Sequence, residues 1–157
     1  MRLVIQRVSR AAVRVDGRTV GSIDDGLLVL VGLARDDGEP EVEKAARRIA
    51  TLRIFSDEAG RMNRGLDEVG GRVLAVSQFT LAGSIRKGRR PSFDRAMPGP
   101  EAEPLFERFV ELVRTHGIQV ETGVFGAMME VALTNAGPVT ILLDTADLRA
   151  PRRQADS

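Results

Sequence analysis

Apolar residues in the first third of the chain follow the spacing of β-strands. Residues 3–8 and 13–15 are rich in Val, Leu and Ile, and the second group is followed by Asp16-Gly17. Asp-Gly between apolar strands predicts a hairpin, which returns through Thr19 and Val20. Residues 26–33 form a continuous apolar run bounded by glycines, typical of a strand buried on both faces. We expect this run at the centre of the core.

Two later segments carry apolar residues at helical spacing. Between residues 40 and 52 they recur every three or four positions, with Pro40 and acidic residues at the start and arginines later, an order that suits the helix dipole. A second amphipathic helix is predicted for residues 104–115. Short strands are predicted at residues 53–55, 73–81, 118–121, 128–134 and 139–144.

Two helices set against eight or nine short strands favour an α+β fold over a doubly wound parallel sheet. We expect mainly antiparallel or mixed β-sheets in a barrel-like arrangement, with two main helices. A chain of 157 residues is sufficient for one domain, which we assign to residues 1–145. Residues 146–157 are polar and are interpreted as a mobile C-terminal tail.

Composition narrows the chemistry that is available. The chain has no cysteine, which excludes disulfides and thiolate metal sites, and its sole histidine is His116. His116 falls near the end of the second predicted helix, where it suits the helix dipole. No metal site or cofactor is predicted. Because no long apolar run or signal-like N-terminus occurs, we expect a cytoplasmic protein without a membrane partner.

Basic residues are clustered although the net charge is only +1. The clusters are Arg86, Lys87, Arg89 and Arg90 in one glycine-containing loop, and Arg149, Arg152 and Arg153 in the tail. Each is interpreted either as a solvated segment or as a contact for nucleic-acid phosphates.

Polar side chains appear at the end of the predicted strand 73–81. Alternation places Ser77 and Phe79 on one face and Gln78 and Thr80 on the other, so we expect the strand to emerge into a polar pocket. A hydroxyl nucleophile here would need a base, and the sequence offers none nearby. The alternatives are backbone N–H groups around Phe79 and Thr80 that stabilise an oxyanion, or polar groups that only satisfy one another.

The segments Ser77-Gln78-Phe79-Thr80-Leu81 and Asn135-Ala136-Gly137-Pro138-Val139 together resemble the paired signatures of D-aminoacyl-tRNA deacylases. The resemblance covers residues 1–145 and includes Gln6-Arg7-Val8, residues 53–57, residues 62–63 and residues 87–93. Either signature alone would be a weak indication, whereas the pair is specific.

The resemblance implies a homodimer that hydrolyses D-aminoacyl-tRNA without a metal or cofactor. In such a dimer the Gly137–Pro138 bond is cis and projects into the partner's site beside residues 77–81, where main-chain carbonyls exclude an L side chain. Because exclusion cannot reject a missing side chain, we expect glycyl-tRNA to be hydrolysed as well. The ribose hydroxyl of the terminal adenosine is expected to assist the reaction, with Ser77, Gln78, Phe79 and Thr80 around the ester.

Other residues acquire roles from the same resemblance. Arg7 resembles an arginine that braces the Gly-Pro loop, and Gln78 is a candidate for binding the terminal adenosine or its ribose. Phe125 and Met129 resemble positions near that base, and without the resemblance both would be interpreted as core residues. The basic loop from Arg86 to Arg90 suits contacts with phosphates of the acceptor arm.

Two other functions are kept as alternatives. The first is a non-catalytic RNA-binding module that uses the same basic loop, although 4% aromatic residues without Trp or Tyr argue against a binder that stacks single-stranded bases. The second is a Ser/Thr hydrolase of small esters, which would require His116 to reach the pocket.

Overall fold

A computed structural model describes residues 1–148, so most of the predicted tail, with Arg149, Arg152 and Arg153, lies outside the described residues. The strands are β1 (Arg2–Val15), β2 (Arg18–Ile23), β3 (Gly26–Gly32), β4 (Phe55–Ser56), β5 (Met62–Arg64), β6 (Arg72–Ser77), β7 (Val120–Thr122) and β8 (Glu130–Asp144). The helices are α1 (Glu39–Thr51), α2 (Leu66–Val69) and α3 (Gly99–Thr115), with a 3-10 helix at Phe79–Ala82.

Strand β1 organises the sheet because it pairs with three other strands. β8 runs antiparallel to β1 between residues 2 and 14, while β3 pairs with residues 2–8 and β2 with residues 11–15. β3, β6 and β7 continue the sheet in parallel. A Cβ atom at Gly21 in β2 would lie 2.4 Å from the Thr122 carbonyl oxygen, so β2 packs directly on β7. The mixed sheet is therefore nearly closed, and the expected α+β, barrel-like class is confirmed.

The N-terminal hairpin and the buried strand form as the apolar pattern predicts. Asp16 and Gly17 have φ values of 49° and 75°, which suit the tight turn that joins β1 and β2. β3 is buried along almost its whole length and alternates its side chains between two clusters. Leu27, Val29 and Val31 face the helices, whereas Leu28 faces the barrel interior beside Leu74 and Val76.

Both long helices pack on the outer face of the sheet. The Glu41 carboxylate accepts a hydrogen bond from the Gly38 backbone N–H at 3.0 Å and so caps the start of α1. α3 begins at Gly99, five residues before the predicted start, and Pro100 suits its first turn because the N–H that proline lacks has no helical partner there. Pro104, the predicted start, lies inside the helix. In residues 1–148 no helix has the length and apolar character that crossing a membrane requires.

The strand predictions at the two signature segments were wrong. β6 ends at Ser77, and the chain then turns into the 3-10 helix instead of continuing as a strand to residue 81. The turn forms because the Gln78 N–H bonds to the Val31 carbonyl at 2.7 Å, after which the Leu81 N–H bonds back to the Gln78 carbonyl at 3.2 Å. Residues 130–144 form one strand across the Gly-Pro step rather than two, and this strand accommodates the step as a bulge.

Candidate active site

The Gly-Pro step lies where β8 has more residues than the segment of β1 that it faces. Gln6 is opposite Thr140 and Val8 is opposite Asn135, so Arg7 alone on β1 faces residues 136–139 on β8. An excess of residues on one strand forces it to bulge and bend away from its partner. Gly137 and Pro138 are exposed at this bulge, and the peptide bond between them is cis.

The Arg7 guanidinium fills the space under the bulge. Its Nε donates to the Ala136 carbonyl at 3.0 Å, and its Nη1 donates to the Ile54 carbonyl at 2.7 Å. Gly137 has a φ of +126°, and a Cβ atom there would lie 2.7 Å from Arg7 Nη2. Glycine is required at this position because both its backbone conformation and the approach of the guanidinium disfavour a side chain.

The side chain of Asn135 spans the base of the same bulge. Its Oδ1 accepts from the Val139 backbone N–H at 3.0 Å, and its Nδ2 donates to Thr140 Oγ1 at 2.9 Å. Gln6 Nε2 donates to the same hydroxyl oxygen at 3.3 Å. The Asn-x-Gly-Pro-Val pattern therefore combines an amide that closes the bulge with the glycine that Arg7 requires.

The β4–β5 hairpin supports Arg7 from the other side, because Ile54 immediately precedes β4. Asp57 Oδ1 accepts from the Ala59 and Arg61 backbone N–H groups at 2.9 Å each and fixes the hairpin turn. The bond from the Arg61 N–H is the largest cause that lowers the pKa of the Asp57 carboxyl below its ordinary value.

The Ser-Gln-Phe-Thr-Leu signature forms the turn at the carboxyl end of β6. Gln78 Nε2 donates to Thr80 Oγ1 at 2.5 Å, so the amide engages the threonine hydroxyl directly. A Cβ atom at Gly32 would lie 2.7 Å from the Leu81 Cβ, and the turn therefore packs closely on the end of β3. Phe79 and Thr80 are exposed, while Ser77 and Gln78 are partly buried.

An apolar cavity of about 310 Å³ opens beside this turn. Ser77, Gln78, Phe79 and Phe125 line it together. Its other lining residues are Val31, Leu33, Met97, Gly99, Ala102, Phe106 and Gly126. The floor from β3 and the wall from the first turns of α3 were missed by the sequence interpretation. The signal available for them was the apolar stripe of α3, which begins at Ala102, ahead of the predicted helix start.

The structure does not bring every candidate residue to this cavity. Met129 packs against the barrel-interior cluster, and a Cβ atom at Gly123 would lie 2.6 Å from its sulfur. His116 caps the far end of α3, about 25 Å from Gly99 for a helix of this length. The Ser/Thr hydrolase alternative, which requires His116 at the pocket, therefore lacks its base.

Gly137 and Pro138 are also absent from the lining of the cavity. The bulge is opposite Arg7, Arg7 pairs with Leu27, and Leu27 pairs with Val73 at the start of β6, whereas Ser77 lies at its end. This offset is about 13 Å along the strands and about 14 Å across three strand spacings. The two signature segments therefore lie at separate places on one chain.

The predicted basic loop projects next to the cavity. Ser84 and Ser92 form a backbone bridge with hydrogen bonds of 2.8 and 2.9 Å at the base of the loop. Phe93 packs edge-to-face on Phe79 with ring centroids 5.2 Å apart, so the loop is attached to the signature turn. Arg86, Lys87, Arg89 and Arg90 are all exposed.

No group of three or more His, Asp or Glu side chains suited to a metal ion occurs between residues 1 and 148. Residues 4–144 match the model of the family described as D-Tyr-tRNA(Tyr) deacylase. The chain belongs to this family. The resemblance that the two signatures predict is thereby confirmed.

Relatives in sequence agree with membership of the D-Tyr-tRNA(Tyr) deacylase family. A D-aminoacyl-tRNA deacylase of Thermomicrobium roseum is 58% identical over 149 residues, which are 95% of this chain and 97% of that protein. One from Koribacter versatilis is 59% identical over 145 residues, or 92% of this chain and 97% of that protein.

Two solved structures share the fold. The c-Myc DNA Unwinding Element Binding Protein has a TM-score of 0.85 and 39% identity, covering 92% of this chain and 98% of the other. A structure described as a "probable eukaryotic D-amino acid tRNA deacylase" has a TM-score of 0.79 at 18% identity, covering 90% of this chain and 97% of the other. The second likeness concerns the fold alone.

The contacts of Arg7 predict a specific loss of stability. We expect Arg7→Ala to lower the free energy of unfolding by about 1.5–3 kcal/mol, because two carbonyl groups lose a charged donor. Arg10→Ala is the matched control on the same strand, since its exposed side chain donates to the Thr134 hydroxyl, and it should change stability by less than about 0.5 kcal/mol. Urea unfolding measures both, and equal losses would contradict the role of Arg7 as a brace.

Proposed function

We propose that the protein is a tRNA-editing esterase that hydrolyses D-aminoacyl-tRNA to free tRNA and a D-amino acid. The observation that carries this proposal is the Gly137–Pro138 bulge, which Arg7 holds in place and leaves exposed. Family membership and relatives named D-aminoacyl-tRNA deacylase favour an enzyme over a non-catalytic RNA-binding module.

The active site is formed between two copies of the chain. One copy contributes the turn at residues 77–81 with its cavity, and the other contributes Gly137 and Pro138. The separation of these segments within one chain supports this arrangement, because Gly137 and Pro138 do not line the cavity of their own subunit. A homodimer with twofold symmetry satisfies both sites at once.

Chirality is selected by exclusion at the Gly-Pro bulge. Its main-chain carbonyls face the α-carbon of the bound amino acid, so an L side chain collides with them while a D side chain points away. We call these carbonyls the chiral wall. The hydrogen bond from Arg7 to the Ala136 carbonyl supports this role, because a wall that moved aside for a methyl-sized group could not distinguish L from D side chains.

The chemistry depends on position and on backbone groups rather than on a side-chain base. The terminal adenosine enters the apolar cavity beside Phe125, which places its ribose near Ser77 and Gln78, two residues of the cavity lining. Thr80 adjoins them through its hydrogen bond from Gln78. Water attacks the ester carbonyl with the assistance of the neighbouring ribose hydroxyl, and backbone N–H groups of the turn at Phe79 and Thr80 stabilise the oxyanion. Collapse of this intermediate breaks the bond between the acyl carbon and the ribose oxygen, and that oxygen takes up a proton, so the products are the free amino acid and tRNA with its terminal ribose hydroxyl restored. Ser77 and the Gln78–Thr80 pair hold this turn in shape.

The exposed basic loop binds phosphates of the acceptor arm and adds affinity with little sequence preference. Its attachment to Phe79 through Phe93 supports this assignment, because phosphate contacts are then coupled to the turn that carries the ester.

Met129 packs away from the cavity in its own chain and supports the shape of the segment at Gly123, close to Phe125 in sequence. We place the enzyme in the cytoplasm, where charged tRNA is used.

The first test compares the deacylation of D-tyrosyl-tRNA and L-tyrosyl-tRNA by the purified protein. The D ester should be hydrolysed up to about 100-fold faster, because forcing an L side chain against a packed wall costs about 1–3 kcal/mol. EDTA should leave the rate unchanged, since the proposed reaction gives no role to a metal. Cleavage of neither ester with retained tRNA binding would favour the RNA-binding module, and equal cleavage would contradict chiral exclusion.

Glycyl-tRNA provides a separate test of exclusion. Glycine has no side chain for the wall to reject, so its ester should be hydrolysed within about tenfold of the D-tyrosyl rate. The comparison requires one enzyme concentration for all three esters. Complete resistance of glycyl-tRNA at a concentration that clears the D ester would show that the site recognises a D side chain positively.

Thr80→Ala separates positioning from nucleophilic catalysis. If the hydroxyl only accepts from Gln78, its loss should lower the rate by about fivefold to tenfold, the usual effect of one hydrogen bond. Ser77→Ala serves as the companion variant, and circular dichroism confirms folding of both. A fall of several orders of magnitude for folded Thr80→Ala would instead identify Thr80 as the nucleophile.

A further inference from the structure

The base of the Gly-Pro bulge is closed by a hydrogen-bond chain that is separate from Arg7. It runs from Gln6 through the Thr140 hydroxyl to the Asn135 amide and ends at the Val139 backbone N–H. Arg7 holds Ala136 on one arm of the bulge, whereas Asn135 holds Val139 on the other arm. The carbonyls of Gly137 and Pro138 lie between the Ala136 and Val139 contacts in sequence.

From this arrangement we infer that Asn135 is the positioning residue that sets D over L selectivity, an inference that rests on the proposed function. The position needs an acceptor for a backbone N–H and a donor for a hydroxyl on the same short side chain. A carboxamide supplies both, a carboxylate supplies the acceptor alone, and a methyl group supplies neither.

The position of Val139 explains why loss of the Asn135 bond changes the selectivity for D over L esters. Val139 directly follows Pro138, and its N–H would have no ladder partner, since residues 136–139 have none on β1 in the described register. Without the Asn135 oxygen, this arm of the bulge is free to move outward while Arg7 still holds the other arm. A wall that moves outward admits an L side chain but continues to accept a D side chain.

Three variants and one control test the inference. Asn135→Ala removes both bonds, Asn135→Asp keeps the acceptor, and Thr140→Val removes the hydroxyl. Thr134→Val is the matched control, because Thr134 lies next to Asn135 on β8 and its hydroxyl accepts from Arg10 at 3.2 Å instead. Urea unfolding checks that each variant is folded under the assay conditions.

Hydrogen exchange at the Val139 amide measures the hydrogen bond from the Val139 N–H to Asn135 Oδ1 without reference to activity. Exchange should accelerate about tenfold in Asn135→Ala and stay near the wild-type rate in Asn135→Asp and Thr134→Val, with the Val29 amide as internal reference. An unchanged Val139 rate in Asn135→Ala would overturn the assignment of this bond.

Deacylation of D-tyrosyl-tRNA and L-tyrosyl-tRNA then tests the functional step. The ratio of D to L rates should fall at least about fivefold in Asn135→Ala through faster cleavage of the L ester, fall less in Thr140→Val and Asn135→Asp, and remain at the wild-type value in Thr134→Val. An unchanged ratio in Asn135→Ala, with fast Val139 exchange, would overturn the positioning role. Failure of the wild-type protein to cleave either ester would overturn the proposed function instead. The exchange result would still decide whether the bond from the Val139 N–H to Asn135 holds this arm of the bulge.

Discussion

The unequal pairing of β1 and β8 is the constraint on which the site depends. One residue on β1 faces four on β8, so the excess chain has to leave the sheet at this point. Arg7 converts that excursion into a fixed shape because its planar guanidinium bonds two carbonyl groups from different segments, a geometry that lysine cannot reproduce. Gly137 completes the arrangement by omitting the side chain that would occupy the same space.

The same sheet separates the elements of the proposed site. β8 lies on one edge of β1, whereas β6 lies two strands away on the other side, and the register places the bulge level with the start of β6. The turn at residues 77–81 follows the opposite end of that strand. In the proposed enzyme, a second copy brings the Gly-Pro bulge to the cavity, so assembly of the dimer is a requirement for catalysis.

Local signals in the sequence were sufficient for much of the fold. Asp16-Gly17, the apolar run of β3 and the helical spacing of α1 each specify an element through nearby residues. The end of β6 was not predictable in this way, because the turn depends on a bond from Gln78 to the distant Val31. Likewise, the sequence marks Asn135 to Val139 as unusual, but only the register with β1 shows why Asn, Gly and Arg7 occur together. Met129 illustrates the same limit, since this apolar residue, near Phe125 in sequence, packs against the barrel-interior cluster and does not line the cavity.

In the proposed function, selection by exclusion also accounts for the character of the turn at residues 77–81. A side-chain nucleophile or base would act on any ester brought within reach, so the wall would have to reject every L substrate before chemistry began. Where the substrate's own ribose hydroxyl assists and backbone N–H groups stabilise the oxyanion, reaction requires an ester held at one position relative to the turn. An L ester that the Gly-Pro carbonyls displace then binds less tightly and is also misaligned with the turn. One steric contact therefore lowers both the affinity for the L ester and its rate of reaction. The bond from Gln78 to Thr80 is consistent with this division, because it gives the threonine hydroxyl a partner within the turn itself.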